Sequence, residues 1–274
     1  MISTVVIAGW FLLALSLLSV WIRREPRVWG TLLTASLIAG FVGGNLLLSG
    51  IVITIGWATL WMIYIRKQKP LIHTALFVIF IVLSFGFEFH LLPGFPSVAI
   101  TPHFSMGFMT PLLGLFPHAL LVPLAKSVRD WKQVMRGTLL GCVGIALLAT
   151  VAILSGAVHL QFKLPSFAGQ RFLSNLIFTA IPEEAFYRGF LQTELCRYFK
   201  KSRAGNFFAL LVSTLIFTLA HAYWSPSLDI LGFVFLAGLL YGYVYQISGK
   251  IESAILCHFL LNFIHMTFFS YHAM

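Results

Sequence analysis

Apolar residues run along this chain in long blocks, and polar residues gather in short clusters between them. A helix needs about 20 apolar residues to cross the hydrocarbon core of a bilayer. By that measure roughly ten blocks qualify, near residues 4–22, 30–48, 51–65, 71–92, 106–125, 138–159, 172–194, 206–222, 228–247 and 253–270. The second and third share one apolar stretch broken at Ser49-Gly50, and the third is short. The pattern predicts an all-α, polytopic transmembrane bundle of about eight to ten helices. The longest connection, roughly residues 93–105, holds Pro93, Pro96 and Pro102 and reads as a loop. Gly40 and Gly44 form a GxxxG pair, which suits close helix packing.

Composition agrees: 59% of residues are hydrophobic and 9% charged, against about 45–50% and about 25% in soluble domains, which excludes an ordinary soluble enzyme. The net charge of +10 would suggest nucleic acid in a soluble protein. Here the cations cluster between apolar blocks, so they report topology and no nucleic-acid partner is expected. The clusters are Arg23, Arg24 and Arg27; Arg66, Lys67 and Lys69; Lys126, Arg129, Lys132 and Arg136; and Arg197, Lys200, Lys201 and Arg203. They follow spans one, three, five and seven, which places them in the cytoplasm and both termini outside. The first span lacks a small-residue cleavage site and reads as a retained helix. Cys142, Cys196 and Cys257 have no paired spacing and read as small buried side chains.

Ionisable groups inside spans are costly and point to function. Glu25, Asp130, Asp229 and Glu252 fall in or beside loops, and Glu194 lies in a basic span end. Glu88, beside His90, reads as interfacial. That leaves Glu183 and Glu184, in Pro182-Glu183-Glu184-Ala185-Phe186-Tyr187-Arg188-Gly189. Glu184 and Arg188 are four apart and can pair on one helix face. Glu183 is turned about 100° from Glu184 and is the carboxylate left for chemistry. Pro182 donates no backbone bond and releases the Phe178 carbonyl, so a kink or helix start is expected beside Glu183.

Two further motifs follow: Phe217-x-x-x-His221 at the end of span eight, and His258-x-x-x-Asn262 in the last span, with His265 continuing the stripe. Each has a bland reading: a buried ion pair between helices, an interfacial histidine, an interhelical hydrogen-bond seam. Together they supply a carboxylate to activate water, imidazoles to position it or move protons, and donors for an oxyanion. HExxH and GxSxG are absent, and neither Asp130 nor Asp229 sits at a span centre. A transporter would show paired broken helices in two repeats, and no such repeat is visible. A non-catalytic immunity or scaffold protein remains the third reading.

The three motifs, in this order and spacing, resemble those of the CPBP family of CAAX proteases and bacteriocin-processing enzymes, which includes the Ras-converting CAAX endopeptidase. The resemblance spans roughly residues 165–270 and extends less specifically to Leu91-Leu92-Pro93-Gly94, as in bacterial members. It implies a membrane-embedded endopeptidase acting on a membrane-associated protein or peptide, in the inner membrane of a bacterial cell. By position it assigns Glu183 and His221 to water activation, His258 and Asn262 to the oxyanion, and Glu184 and Arg188 to shaping the site. Residues 1–92 would then be accessory helices and 93–274 the catalytic core. No cofactor is expected, although Glu and His also suit zinc, so a zinc-dependent version stays open. The CAAX branch cleaves on the cytosolic side, whereas the charge pattern sets His221 near the outer face; both placements stand.

Overall fold

The computed structural model describes residues 2–66, 68–101, 104–199, 202–223 and 227–270. Lys67, Pro102, Lys200, Lys201 and Trp224 lie outside the described residues. Among the described residues ten helices carry the fold. They are α1 (Thr4–Ile22), α2 (Pro26–Val42), α3 (Leu48–Tyr64), α4 (Pro70–Glu88), α5 (Met109–Leu120) and α6 (Val128–Leu154). After them come α7, a continuous run from Ala168 to Tyr198, then α8 (Arg203–His221), α9 (Leu228–Ser248) and α10 (Ile251–Phe268). Six of these, α1, α4, α6, α8, α9 and α10, are long and apolar enough to cross a membrane. The chain is a multi-pass membrane protein built as a helix bundle. Helices are the expected solution there, because lipid offers the backbone no hydrogen-bond partners.

The fifth expected span is shorter than its apolar block. Helix α5 has 12 residues, about 18 Å at 1.5 Å per residue, too short for a core about 30 Å thick. Pro123 follows its end and cannot continue the backbone ladder. The connection before α5 is more ordered than a plain loop: β1 (Val98–Thr101) pairs antiparallel with β2 (Phe104–Met106).

The chain divides into two compact units, Met1–Val122 and Pro123–Met274. In the first, α1 and α2 form a close hairpin. Ser36 Oγ donates to the Gly9 carbonyl at 2.7 Å, and Ser16 Oγ to the Trp29 carbonyl at 2.8 Å. Such bonds replace the hydrophobic drive that lipid removes. A Cβ on Gly40 would lie 2.7 Å from the Phe108 ring, so Gly40 serves packing as expected. Gly44 does not: it turns the chain after α2 at φ +77° with open space around it. Between α3 and α4, Trp61 stacks on Phe80 with ring centres 4.1 Å apart.

In the second unit, α6 presents Val134, Gly137, Gly141 and Ile145 inward while Leu139, Leu140, Val143 and Leu147 stay exposed. This periodicity places Cys142 on the outward side, so it is exposed rather than buried, whereas Cys257 is buried and Cys196 half-buried. The glycines admit α10: Cβ atoms on Gly137 and Gly141 would each lie 2.7 Å from Ser253 Oγ and Cys257 Sγ. The start of α10 is fixed by ions and hydrogen bonds. Lys250 Nζ meets Asp130 Oδ1 at 2.6 Å, and the buried Glu252 accepts from the Ala125 amide at 2.7 Å. Glu252, beside the connection from α9, is therefore a buried anchor. Asp130 also completes a capping box with Ser127 at the start of α6. At the other end, β3 (His159–Leu160) pairs with β4 (Phe269–Ser270), tying the α6–α7 connection to the end of α10.

Candidate active site

Helix α7 is irregular where its polar residues lie. It is α-helical over Ala168–Ser174, π-helical over Asn175–Ala180, α-helical over Ile181–Glu184, π-helical over Ala185–Gln192 and α-helical over Thr193–Tyr198. Pro182 causes neither a break nor a helix start; the run continues through it with widened turns on both sides. The missing amide of Pro182 leaves the ordinary i→i−4 bond unmade, and i→i+5 closure is one way to absorb that loss. Such π-bulges recur at functional sites.

The two adjacent carboxylates point to different surroundings, as their angular offset predicts. Glu184 is fully buried. Its Oε1 accepts from Arg188 Nη1 at 3.1 Å and from His258 Nδ1 at 2.8 Å. The Arg188 contact is the expected i,i+4 pair. The His258 contact joins α7 to α10 across a sequence distance that no local pattern reveals. Arg188 Nη2 donates to the Gly238 carbonyl at 3.1 Å, and its guanidinium lies 4.3 Å from the Phe217 ring centre. One turn on, Gln192 Nε2 donates to the Gly242 carbonyl at 3.1 Å, so α7 and α9 share a two-rung polar ladder. A Cβ on Gly242 would approach Leu210 Cδ1 to 2.4 Å and Gln192 Oε1 to 2.7 Å, which explains the glycine.

Glu183 faces His221, the last residue of α8, with Oε2 3.9 Å from Nε2. The other ring nitrogen of His221, Nδ1, lies 2.8 Å from the Phe217 carbonyl. A carbonyl only accepts, so Nδ1 carries the proton and, in the neutral ring, Nε2 offers a lone pair toward Glu183. The same reasoning applies to His258: its Nδ1 donates to Glu184, and Tyr241 stacks on its ring at 4.7 Å with an interplanar angle of 11°.

Glu183, His221, His258 and Asn262 line one cavity of about 450 Å³. Glu184 and Arg188 do not line it; they stand behind His258. His265 lines it as the stripe on α10 predicts, and so do Asn175, Thr179 and Tyr241, which the sequence reading did not single out. Asn175 and Thr179 were signalled by their spacing, at two turns and one turn before Glu183. The remaining wall is apolar, from Ile145, Leu148 and Ala149 on α6 and Phe233, Val234 and Ala237 on α9. Among the described residues no three His, Cys, Asp or Glu side chains converge as a metal site; the two Glu–His contacts remain separate pairs.

Residues 166–264, which hold all of α7, α8 and α9 and α10 as far as Ile264, match the family described as Rce1-like, type II CAAX prenyl endopeptidase. This stretch belongs to the CAAX protease family. No curated protein and no solved structure matches the chain. The match supports a protease, and the matched stretch contains every motif residue of the cavity wall: Glu183, His221, His258 and Asn262.

Proposed function

We propose that this protein is an intramembrane endopeptidase that cleaves a membrane-associated protein or peptide by direct attack of water. The observation that carries the reading is the Glu183–His221 pair at the cavity wall. A carboxylate oxygen and an imidazole lone pair are both acceptors, and at 3.9 Å they are too far apart for a direct hydrogen bond. A water between them donates one hydrogen to each and turns its oxygen lone pair to the cavity. Glu183 then takes a proton as the water oxygen adds to the scissile carbonyl carbon. The carbonyl oxygen becomes an oxyanion that accepts from His258 Nε2–H and the Asn262 amide. The C–N bond breaks as Glu183 returns the proton to the leaving amine. Donation from Nε2, with Nδ1–H already held by Glu184, requires the imidazolium, and Glu184 is its counter-ion. Arg188 donates to the same carboxylate oxygen and fixes it.

No metal takes part in this reading. The polar residues it uses all lie beyond residue 93, which supports a catalytic core over 93–274 and an accessory role for residues 1–92. The inner membrane of a bacterial cell is the proposed location. The deciding experiment compares wild type with Glu183→Gln and His258→Ala, each folded, by mapping cleaved termini across a membrane proteome. New termini with wild type alone, unaffected by chelator, are expected. The same termini in all three proteins would remove the protease mechanism, and loss of wild-type cleavage with chelator would replace it by a metal-dependent one.

A further inference from the structure

Among the polar groups of the cavity wall that this mechanism does not use are Asn175 and Thr179. Asn175 lines the cavity at the first residue of the π-helical stretch, and Thr179 lines it one turn later. The Oδ1 atom of Asn175 is buried, and no described residue hydrogen-bonds to it. A buried amide oxygen without a partner is costly, and native structures rarely keep one without a use.

The backbone irregularity brings this side chain into line. At 3.6 residues per turn, eight residues leave Asn175 about 80° away from Glu183 around the axis. Turns closed i→i+5 hold more residues and rotate less per residue, so the π-helical stretch Asn175–Ala180 removes part of that offset. Asn175, Thr179 and Glu183 therefore all line the same cavity. Eight helical residues span about 12 Å, and an extended peptide advances about 3.3–3.6 Å per residue. The α6 part of the wall, Ile145, Leu148, Ala149 and Ala152, is aliphatic and offers the main chain of a substrate no side-chain partner.

Resting on the protease reading above, we infer that Asn175, with Thr179 beside it, is a binding subsite for the main chain of an extended substrate. It accepts an amide N–H about three to four residues from the bond that Glu183 and its water attack. The enzyme then needs that length of chain on one side of the cut, whatever the side chains.

The test uses the purified full-length protein in detergent and an equimolar pool of end-blocked random decapeptides, with products read by mass spectrometry. The best-cleaved sequence is then resynthesised in lengths from two to six residues on each side of the cut. Wild type is expected to show about a tenfold step in kcat/KM, mostly in KM, when one side reaches three or four residues. Asn175→Ala is expected to lose the step and keep its rate on the shortest peptides, whereas Asn175→Asp, which keeps the acceptor, retains it. If Asn175→Ala unfolds, Thr179→Val and Asn175→Asp carry the same length series. A wild-type step in Asn175→Ala overturns the subsite and leaves the protease reading intact. Cleavage by Glu183→Gln at the wild-type rate, or no cleavage by wild type, overturns the protease reading and the subsite with it.

Discussion

Glu184 lies between Arg188 and His258 with no exposure, so removing its carboxylate strands a buried guanidinium and leaves His258 without its orienting acceptor. Breaking a buried ion pair in this way costs about 3–5 kcal/mol. Glu184→Ala is therefore expected to lower the unfolding midpoint in detergent sharply and to lose cleavage as a consequence. Glu183→Gln should behave in the opposite way. It keeps the volume and hydrogen-bonding capacity of a side chain at a cavity wall, so stability should stay within about 1 kcal/mol while cleavage falls by about 10²–10⁴-fold. Parallel melting curves and rates on one substrate separate the two neighbours, and equal destabilisation would refute the division. Part of this arrangement was legible beforehand. The Glu184–Arg188 pair follows from i,i+4 spacing, and the different outlook of Glu183 from the 100° step. The Glu184–His258 bond was not legible, because its partners are 74 positions apart and nothing local joins them. The burial of Glu252 was not legible for a similar reason: its partner is the Ala125 amide, 127 positions away.

At the scale of an element, α7 and its contacts with α9 decide the site. A substitution Pro182→Ala restores a backbone donor to the Phe178 carbonyl and removes the cause of irregular turns at that point. The expected result is equal or higher thermal stability with reduced cleavage, because the cavity-lining stripe loses its alignment. Unchanged cleavage would show that the π-helical turns are incidental. Gly242→Ala should act through packing alone. Its Cβ would press on Leu210 and Gln192, costing about 1–3 kcal/mol and loosening the second rung of the ladder. Thermal unfolding reads this directly. The sequence predicted where helices run, since a 20-residue apolar block leaves the backbone little choice. It did not predict the π-helical turns, because a period of 3.6 was assumed throughout, nor the shortness of α5, whose apolar block extends beyond the helix on both sides.

At the scale of the whole molecule, the bilayer sets which faces may be polar. Helix α6 has an exposed apolar stripe that includes Val143, near the middle of its 27 residues. An arginine at the centre of a spanning helix costs about 2.5–3.5 kcal/mol on insertion scales. Val143→Arg is expected to reduce the fraction of protein recovered in the membrane, while Thr150→Ser on the same helix leaves it unchanged. Fractionation followed by quantitative blotting checks both, and full recovery of Val143→Arg would mean that this face meets water or protein. The membrane character of the chain was the easiest property to read, because it rests on total apolar content rather than on any single contact.

The cavity wall separates two kinds of work. Every residue assigned to chemistry stands on α7, α8 or α10, and α6 contributes only aliphatic surface through residues such as Ile145, Leu148, Ala149 and Ala152. Side-chain preference can therefore drift without touching the reaction. Enlarging Ala149 or trimming Leu148 would reshape what the enzyme accepts, while the proton path stays on other helices. For a lineage, new substrates lie a few conservative changes away along one helix. For an engineer, α6 is the dial to turn first.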